Sequence, residues 1–366
     1  MKVKATFMAL ALGTATFLAG CGADNSNEQT SGKDDKLTVY TTIFPLQDFT
    51  KKIGGEEVNV ESVLPPGVDA HSYEPTTKDM VEIAKGDAFI YSGIGLEGFA
   101  DKAQDTLKNE DVTMVEAAKG IELAESTHAH EDEHAHEDEH AHEDEHAHED
   151  EHAHEDEHAH EDEHAHEDEH AHEDEHAHED EHAHEDEHAH DHGDTDPHIW
   201  LDPVLSIQLA ENIKNELVEL KPDSKEEFEK NYEDLKAQLE ELDQKLETTI
   251  SEGKHKEILV SHAAYGYWEK RYGLTQISVA GLSPTNEPSQ KQLQSIIKEA
   301  NEHNIKYFIF DQNLEPKVSK LVQKEVGAEA LTLHNLESAT KDDVANKEDY
   351  FSIMDKNIET LKKALN

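Results

Sequence analysis

Residues 223–253 read DSKEEFEKNYEDLKAQLEELDQKLETTISEG, and the fold turns on this stretch. Phe228, Tyr232, Leu235, Leu239, Leu242 and Leu246 recur at three- and four-residue spacings, which gives one long helix a continuous apolar face. Asp223 or Ser224 stands where an N-cap belongs, and Gly253 where the helix stops. On the N-terminal side, LTVYTTIF (37–44), VNVESVL (58–64), AFIYSG (88–93) and VTMVEA (112–117) are short β-branched or aromatic runs. The helical patterns PLQDFTKKIGG, TTKDMVEIAKG and LEGFADKAQDTLKN lie between them. On the C-terminal side the alternation resumes with EILVSH (257–262), QISVAG (276–281), YFIFDQ (307–312) and ALTLHN (330–335). Such alternation argues for parallel sheets covered by helices. The expectation is an α/β protein of two lobes with central sheets, joined by one long rigid helix. Residues 37–222 form the first lobe, 223–252 the linking helix and 253–366 the second lobe. A ligand then belongs in the cleft, outside the carboxyl ends of the strands.

Two segments fall outside this pattern. MKVKATFMALALGTATFLAGC (1–21) has two lysines, an apolar run and then small residues, the layout of a secretory signal over 1–20. Its apolar run is too short to span a bilayer as a helix. Leu18-Ala19-Gly20-Cys21 is similar to a bacterial lipobox, which makes Cys21 the expected lipidation site and 21–36 a polar, flexible tether. The chain is therefore expected at the cell membrane, lipid-anchored on its extracytoplasmic face. Cys21 is the only cysteine, so no intramolecular disulfide forms.

The second segment is the insertion at 126–196. The hexad His-Ala-His-Glu-Asp-Glu repeats ten times from His128 to Glu187, and HAHDHGDTD follows. One Ala per repeat builds no core, and low hydrophobicity with high charge predicts disorder. The formal charge of the whole chain is -53, and residues 128–192 hold 31 of its 85 acidic side chains with no Lys or Arg. So acidic a chain does not bind nucleic acid through its phosphates. Divalent cations are another matter: imidazoles such as His128, His130, His134, His136, His188, His190 and His192 alternate with carboxylates and offer many shallow sites. Those carboxylates favour the protonated imidazoles, so acidification is expected to weaken capture by the tract.

Of 29 histidines, 23 lie in the tract, leaving His71, His198, His255, His262, His303 and His334. His71 (LPPGVDAHSYEP) and His262 (ILVSHAAYGYWEKRYG) closely follow strand signals, and His198 (DPHIWLDP) opens the helix after the tract. Pro- and aromatic-rich surroundings make rigid loops that hold imidazoles in place. Three imidazoles and a carboxylate suit Zn²⁺, at about 2.0–2.2 Å in near-tetrahedral geometry. His255 is flanked by lysines and reads as solvated, His303 complements a helix dipole, and His334 packs or hydrogen-bonds within the last strand signal.

The motifs GVDAHSYEPTTKD, DPHIWLDP, SHAAYGYWEKRYGL and LHNLES resemble the metal-receptor family of zinc and manganese ABC importers, in particular its zinc branch (the ZnuA and AdcA type). The likeness runs from about Leu37 to Leu365, broken only by the tract. It implies a monomeric, extracytoplasmic zinc receptor that is not an enzyme and hands Zn²⁺ to the membrane permease of an ABC importer. It implies one metal between the lobes, with His71 and His198 from the first and His262 from the second. Glu337 stands where the family places a carboxylate near the metal. Manganese receptors of the family tend to have a carboxylate in place of His262, and imidazole favours zinc. Asp202 is expected to support a ligand histidine through its second ring nitrogen. Trp200, Tyr265 and Trp268 are expected to pack the ligand loops, and the tract to act as a low-affinity collector.

Three other readings remain open at this point. A manganese receptor of the same family has the same architecture. A zinc hydrolase also uses three histidines, but no His-Glu-x-x-His helix or obvious general base accompanies these. A storage lipoprotein acting through the tract would lose tight binding on removal of residues 128–192.

Overall fold

The computed structural model describes residues 36–124, 195–312, 314 and 316–366. The signal, Cys21, the tether up to residue 35 and His128, His130, His134, His136, His188, His190 and His192 lie outside the described residues.

In the first lobe β1 (Leu37–Thr41), α1 (Phe44–Gly54), β2 (Val58–Ser62), α2 (Thr77–Ile83), β3 (Ala88–Tyr91), α3 (Ala100–Leu107) and β4 (Thr113–Glu116) follow in turn. After the insertion come α4 (Pro203–Leu220) and the linking helix α5 (Lys225–Glu252). The second lobe contains β5 (Glu257–His262), α6 (Gly266–Tyr272), β6 (Thr275–Ala280), α7 (Gln290–Glu302), β7 (Tyr307–Asp311), α8 (Lys317–Val326), β8 (Glu329–Leu333), α9 (Lys341–Asn346) and α10 (Tyr350–Ala364). Both sheets are parallel, in the orders β2-β1-β3-β4 and β6-β5-β7-β8. The two orders are equivalent, so the lobes repeat one topology. All eight strands predicted from the sequence form, each trimmed by at most a few residues.

The apolar face of α5 is buried as its spacing requires: Phe228, Leu235, Leu239, Leu242 and Leu246 are each at most 2 % exposed. It packs on α1 and α4 from one lobe and on α6 and α10 from the other. Ser224 holds the N-cap position, but its side chain caps nothing; its hydroxyl donates instead to the Glu57 carboxylate, 3.3 Å away. Among the described residues no helix is long and apolar enough to cross a membrane.

One core cluster runs through both lobes, from Val39 and Phe49 through Trp200 and α5 to Trp268 and Tyr350. Several buried polar groups of the seam pair across it. Trp200 Nε1 donates to the Asn335 carbonyl (2.7 Å), and Tyr350 Oη to the Trp200 carbonyl (2.6 Å). Trp268 Nε1 donates to the Leu201 carbonyl (2.8 Å), and the Phe44 amide to the Glu337 carbonyl (3.0 Å). Trp200, Tyr265 and Trp268 are thus fully buried packing residues behind the cleft, as expected.

Because Leu239 is buried where α5 meets the shared core, Leu239→Ala should lower the unfolding free energy by about 2–5 kcal/mol. Urea denaturation of the metal-free protein measures this, and a loss under 1 kcal/mol would mean that the helix face is not sealed.

Candidate metal centre

Two of the candidate ligands sit at the ends of elements and two on loops. His71 lies on the loop between β2 and α2, and its amide donates to the Asp69 carboxylate (3.2 Å). His198 immediately precedes a short 3-10 turn (Ile199–Leu201) that leads into α4. His262 is the last residue of β5. Glu337 follows β8 by four residues on the loop to α9.

Three of these four converge closely. The ligand atoms of His71, His198 and Glu337 all lie within 4.8 Å of one another. Glu337 Oε1 is 3.4 Å from His71 Nε2 and 3.5 Å from His198 Nε2. His262 lies outside that set but borders it, its ring centroid 5.4 Å from that of His198; the His71 and His198 rings are 5.5 Å apart. His198, His262 and Glu337 are at most 3 % exposed. The Nε2 atoms of His71, His198 and His262 are buried, and none has a hydrogen-bond partner. Buried polar atoms are nearly always paired, and an unpaired one carries a desolvation cost. Three such nitrogens beside one carboxylate are a donor set for a cation.

The opposite nitrogens show how that set is aimed. His198 Nδ1 lies 2.8 Å from Asp196 Oδ1, which also accepts the His198 amide (2.9 Å). His262 Nδ1 lies 2.7 Å from Asp311 Oδ2, and Ser261 Oγ donates to the same oxygen. A carboxylate accepts only, so each Nδ1 carries a proton toward it and each Nε2 is the nitrogen left facing the site. Outer carboxylates of this kind fix the tautomer and the ring orientation of metal-binding histidines.

The carboxylates that orient the rings are Asp196 and Asp311, and Asp202 is not one of them. Asp202 caps α4, accepting from the amides of Val204 (2.8 Å) and Leu205 (3.1 Å), and pairs with Arg271 Nε at 2.6 Å. An N-cap aspartate after a turn and before Pro203 is committed to the helix start, which leaves no oxygen for a ring. Asp196, placed by the sequence in the insertion, is instead a buried part of the lobe. Its position two residues before His198 was the available signal, since a carboxylate there reaches both the amide and the ring. Room for it comes from Gly266, where a Cβ would stand 2.5 Å from Asp196 Oδ2. Asp311 had a weaker signal: it ends β7, the neighbour of β5. His334, read as part of the last strand, lies just beyond it, because β8 ends at Leu333.

Electrostatics tie the set together. Burial pulls the His198 imidazole down, but the Asp196 and Glu337 carboxylates outweigh it and raise its pKa to about 9. Burial likewise pushes Glu337 up, while His198 and His71 more than offset this and hold it well below the usual carboxylate range. In the metal-free protein those carboxylates therefore favour a proton at His198 Nε2. A metal ion must displace that proton. Apparent affinity for Zn²⁺ should therefore fall as the pH drops, by about tenfold per unit below the metal-free pKa of His198. Calorimetric titration at pH 7 in buffers of differing ionisation enthalpy should show proton release on binding; none would mean that His198 is already neutral. Asp202→Ala should lower stability by about 0.5–2 kcal/mol through the lost helix cap and leave metal affinity unchanged in the same titration.

The chain has known relatives. The high-affinity zinc uptake system protein ZnuA of Bacillus subtilis is 32% identical over 348 residues, covering 95% of this chain and 93% of the relative. The zinc-binding lipoprotein AdcA of Streptococcus pneumoniae is 30% identical over 361 residues, covering 99% of this chain but only 61% of the longer relative. Among solved structures, the Zn(II)-bound ZnuA-like domain of S. pneumoniae AdcA superposes with a TM-score of 0.64 at 28% identity, covering 90% of this chain and 99% of that one. The metal-dependent lipoprotein YcdH of B. subtilis gives a TM-score of 0.64 at 30% identity, with 90% and 99% covered. A family model described as zinc-uptake complex component A, periplasmic, matches residues 39–364, and the chain belongs to that family.

Proposed function

We propose that this protein is an extracytoplasmic, lipid-anchored receptor that captures one Zn²⁺ ion and delivers it to the membrane permease of an ABC importer. His71, His198 and His262 bind through Nε2, and Glu337 completes the shell. The observation that carries this reading is the set of three buried, unpartnered Nε2 atoms beside one buried carboxylate. Four ligands at about 2.0–2.2 Å in a tetrahedron stand roughly 3.4 Å apart. Glu337 Oε1 already has that spacing to His71 and His198, while His262 borders that group of ligand atoms.

Three imidazoles and one oxygen favour zinc over manganese, which prefers oxygen-rich sites. Relatives named for zinc uptake and zinc binding agree with that choice. The donor set also argues for holding rather than hydrolysing. A hydrolytic zinc site keeps its fourth position for water, whereas on this reading Glu337 fills that position.

The tract acts on this reading as a weak collector. The chain leaves the described fold at Ala124 and returns at Thr195, three residues before His198. Both ends are held together: the Asp196 amide donates to the Ala124 carbonyl (3.1 Å), and Tyr267 Oη accepts from the Ala124 amide (3.2 Å) while donating to the Asp196 carbonyl (2.8 Å). Ions gathered by the tract would be released next to a ligand.

Chelator-competed titration of Zn²⁺ and Mn²⁺ tests the proposal on the full chain and on a variant lacking residues 128–192. One tight zinc site should survive the deletion, bind manganese far more weakly and disappear in His262→Ala. Loss of tight binding on deletion would move the function to the tract and leave the cleft without its assigned role.

A further inference from the structure

Glu337 is aimed by a turn whose central residue is in an unfavourable conformation. Leu336 has φ +62°, the left-handed region that bulky residues rarely enter, and its side chain is fully buried. Such a conformation persists where its surroundings over-determine it, and it concentrates at functional sites. Through this turn Asn335 and Glu337 fold back on each other. Asn335 Nδ2 donates to Glu337 Oε1 (3.0 Å), and the Glu337 amide to Asn335 Oδ1 (3.2 Å).

His334 supplies the constraint. Its ring nitrogen Nδ1 accepts the Leu336 amide at 2.9 Å. An amide can only donate, so Nδ1 is unprotonated and the ring proton is on Nε2, which lies 3.0 Å from Asp343 Oδ2 on α9. The backbone of His334 is clamped as well. Asn357 on α10 accepts its amide through Oδ1 and donates to its carbonyl through Nδ2, both at 2.8 Å. Two helices thus fix the residue and its tautomer, leaving Nδ1 to hold Leu336 in the left-handed turn.

We propose that His334 is a positioning residue for the metal carboxylate: by accepting the Leu336 amide, it holds the turn that presents Glu337 to the imidazoles. This rests on the reading of Glu337 as a ligand. His334 touches neither the metal position nor another candidate ligand through any hydrogen bond of its side chain among the described residues, so its effect passes through the loop backbone.

A double-mutant cycle on the full chain, read as zinc affinity against a chelator strong enough to silence the tract, tests this. His334→Leu keeps bulk but removes the acceptor, and should weaken the tight site by about tenfold or more, the range seen for residues that orient metal ligands. His334→Asn retains a short acceptor that reaches the amide two residues on, and should stay within about twofold of the parent. In a Glu337→Ala background His334→Leu should cost nothing further. Unchanged affinity in His334→Leu, or the same loss with and without Glu337, overturns the proposal. If Glu337→Ala alone leaves affinity intact, the carboxylate assignment itself is wrong, and the inference falls with it. Should His334→Leu fail to fold, His334→Gln replaces it in the cycle, since its longer side chain keeps a polar contact without the short turn.

Discussion

The candidate site depends on a seam that does not open. Trp200 is fully buried between the lobes, giving its indole proton to Asn335 of the second lobe and its carbonyl to Tyr350 of the same lobe. Candidate ligands lie close on both sides: His198 stands two residues before it, and Asn335 two residues before Glu337. The same hydrogen bonds that close the core therefore set the distance between the first-lobe imidazoles and the second-lobe carboxylate. Helix α5 braces this arrangement from behind by packing on both lobes at once.

Charge explains why the arrangement suits a dication. Asp196, Asp311 and Glu337 are three buried carboxylates around three imidazoles. A carboxylate at the far nitrogen of a ring fixes the tautomer and raises the basicity of the other nitrogen, which strengthens it as a metal donor. In the metal-free state this same negative charge draws a proton onto His198. On the proposed reading, proton and metal are alternative occupants of one electrostatic well.

Local pattern carried much of this into the sequence. The face of α5 was legible because six apolar residues follow helical spacing without a break, and β5 because EILVSH is a clean strand signal that ends on a candidate ligand. The outer carboxylates were legible only in part. DPHIWLDP contains two aspartates, and nothing in the pattern says which one turns toward the ring and which caps the helix. Asp311 meets His262 because β7 pairs with β5, a contact set by sheet order across 49 residues of sequence. His334 looked like a strand residue because the apolar run before it continues into its position. Only the left-handed turn at Leu336 shows that the strand has already ended.

A receptor must also let go, and the seam limits how. Separating the lobes would expose Trp200, Trp268 and Tyr350, each fully buried. At about 25 cal/mol per Å² of apolar surface, side chains of 150–250 Å² would cost roughly 4–6 kcal/mol each, besides the lost hydrogen bonds. Moving ligands costs far less. His198 and the Glu337 turn are both anchored in the seam, whereas His262 lies at a strand end, outside the tight group of ligand atoms. On the proposed reading His262 is therefore the ligand able to retreat while the core stays shut, and release proceeds from that side.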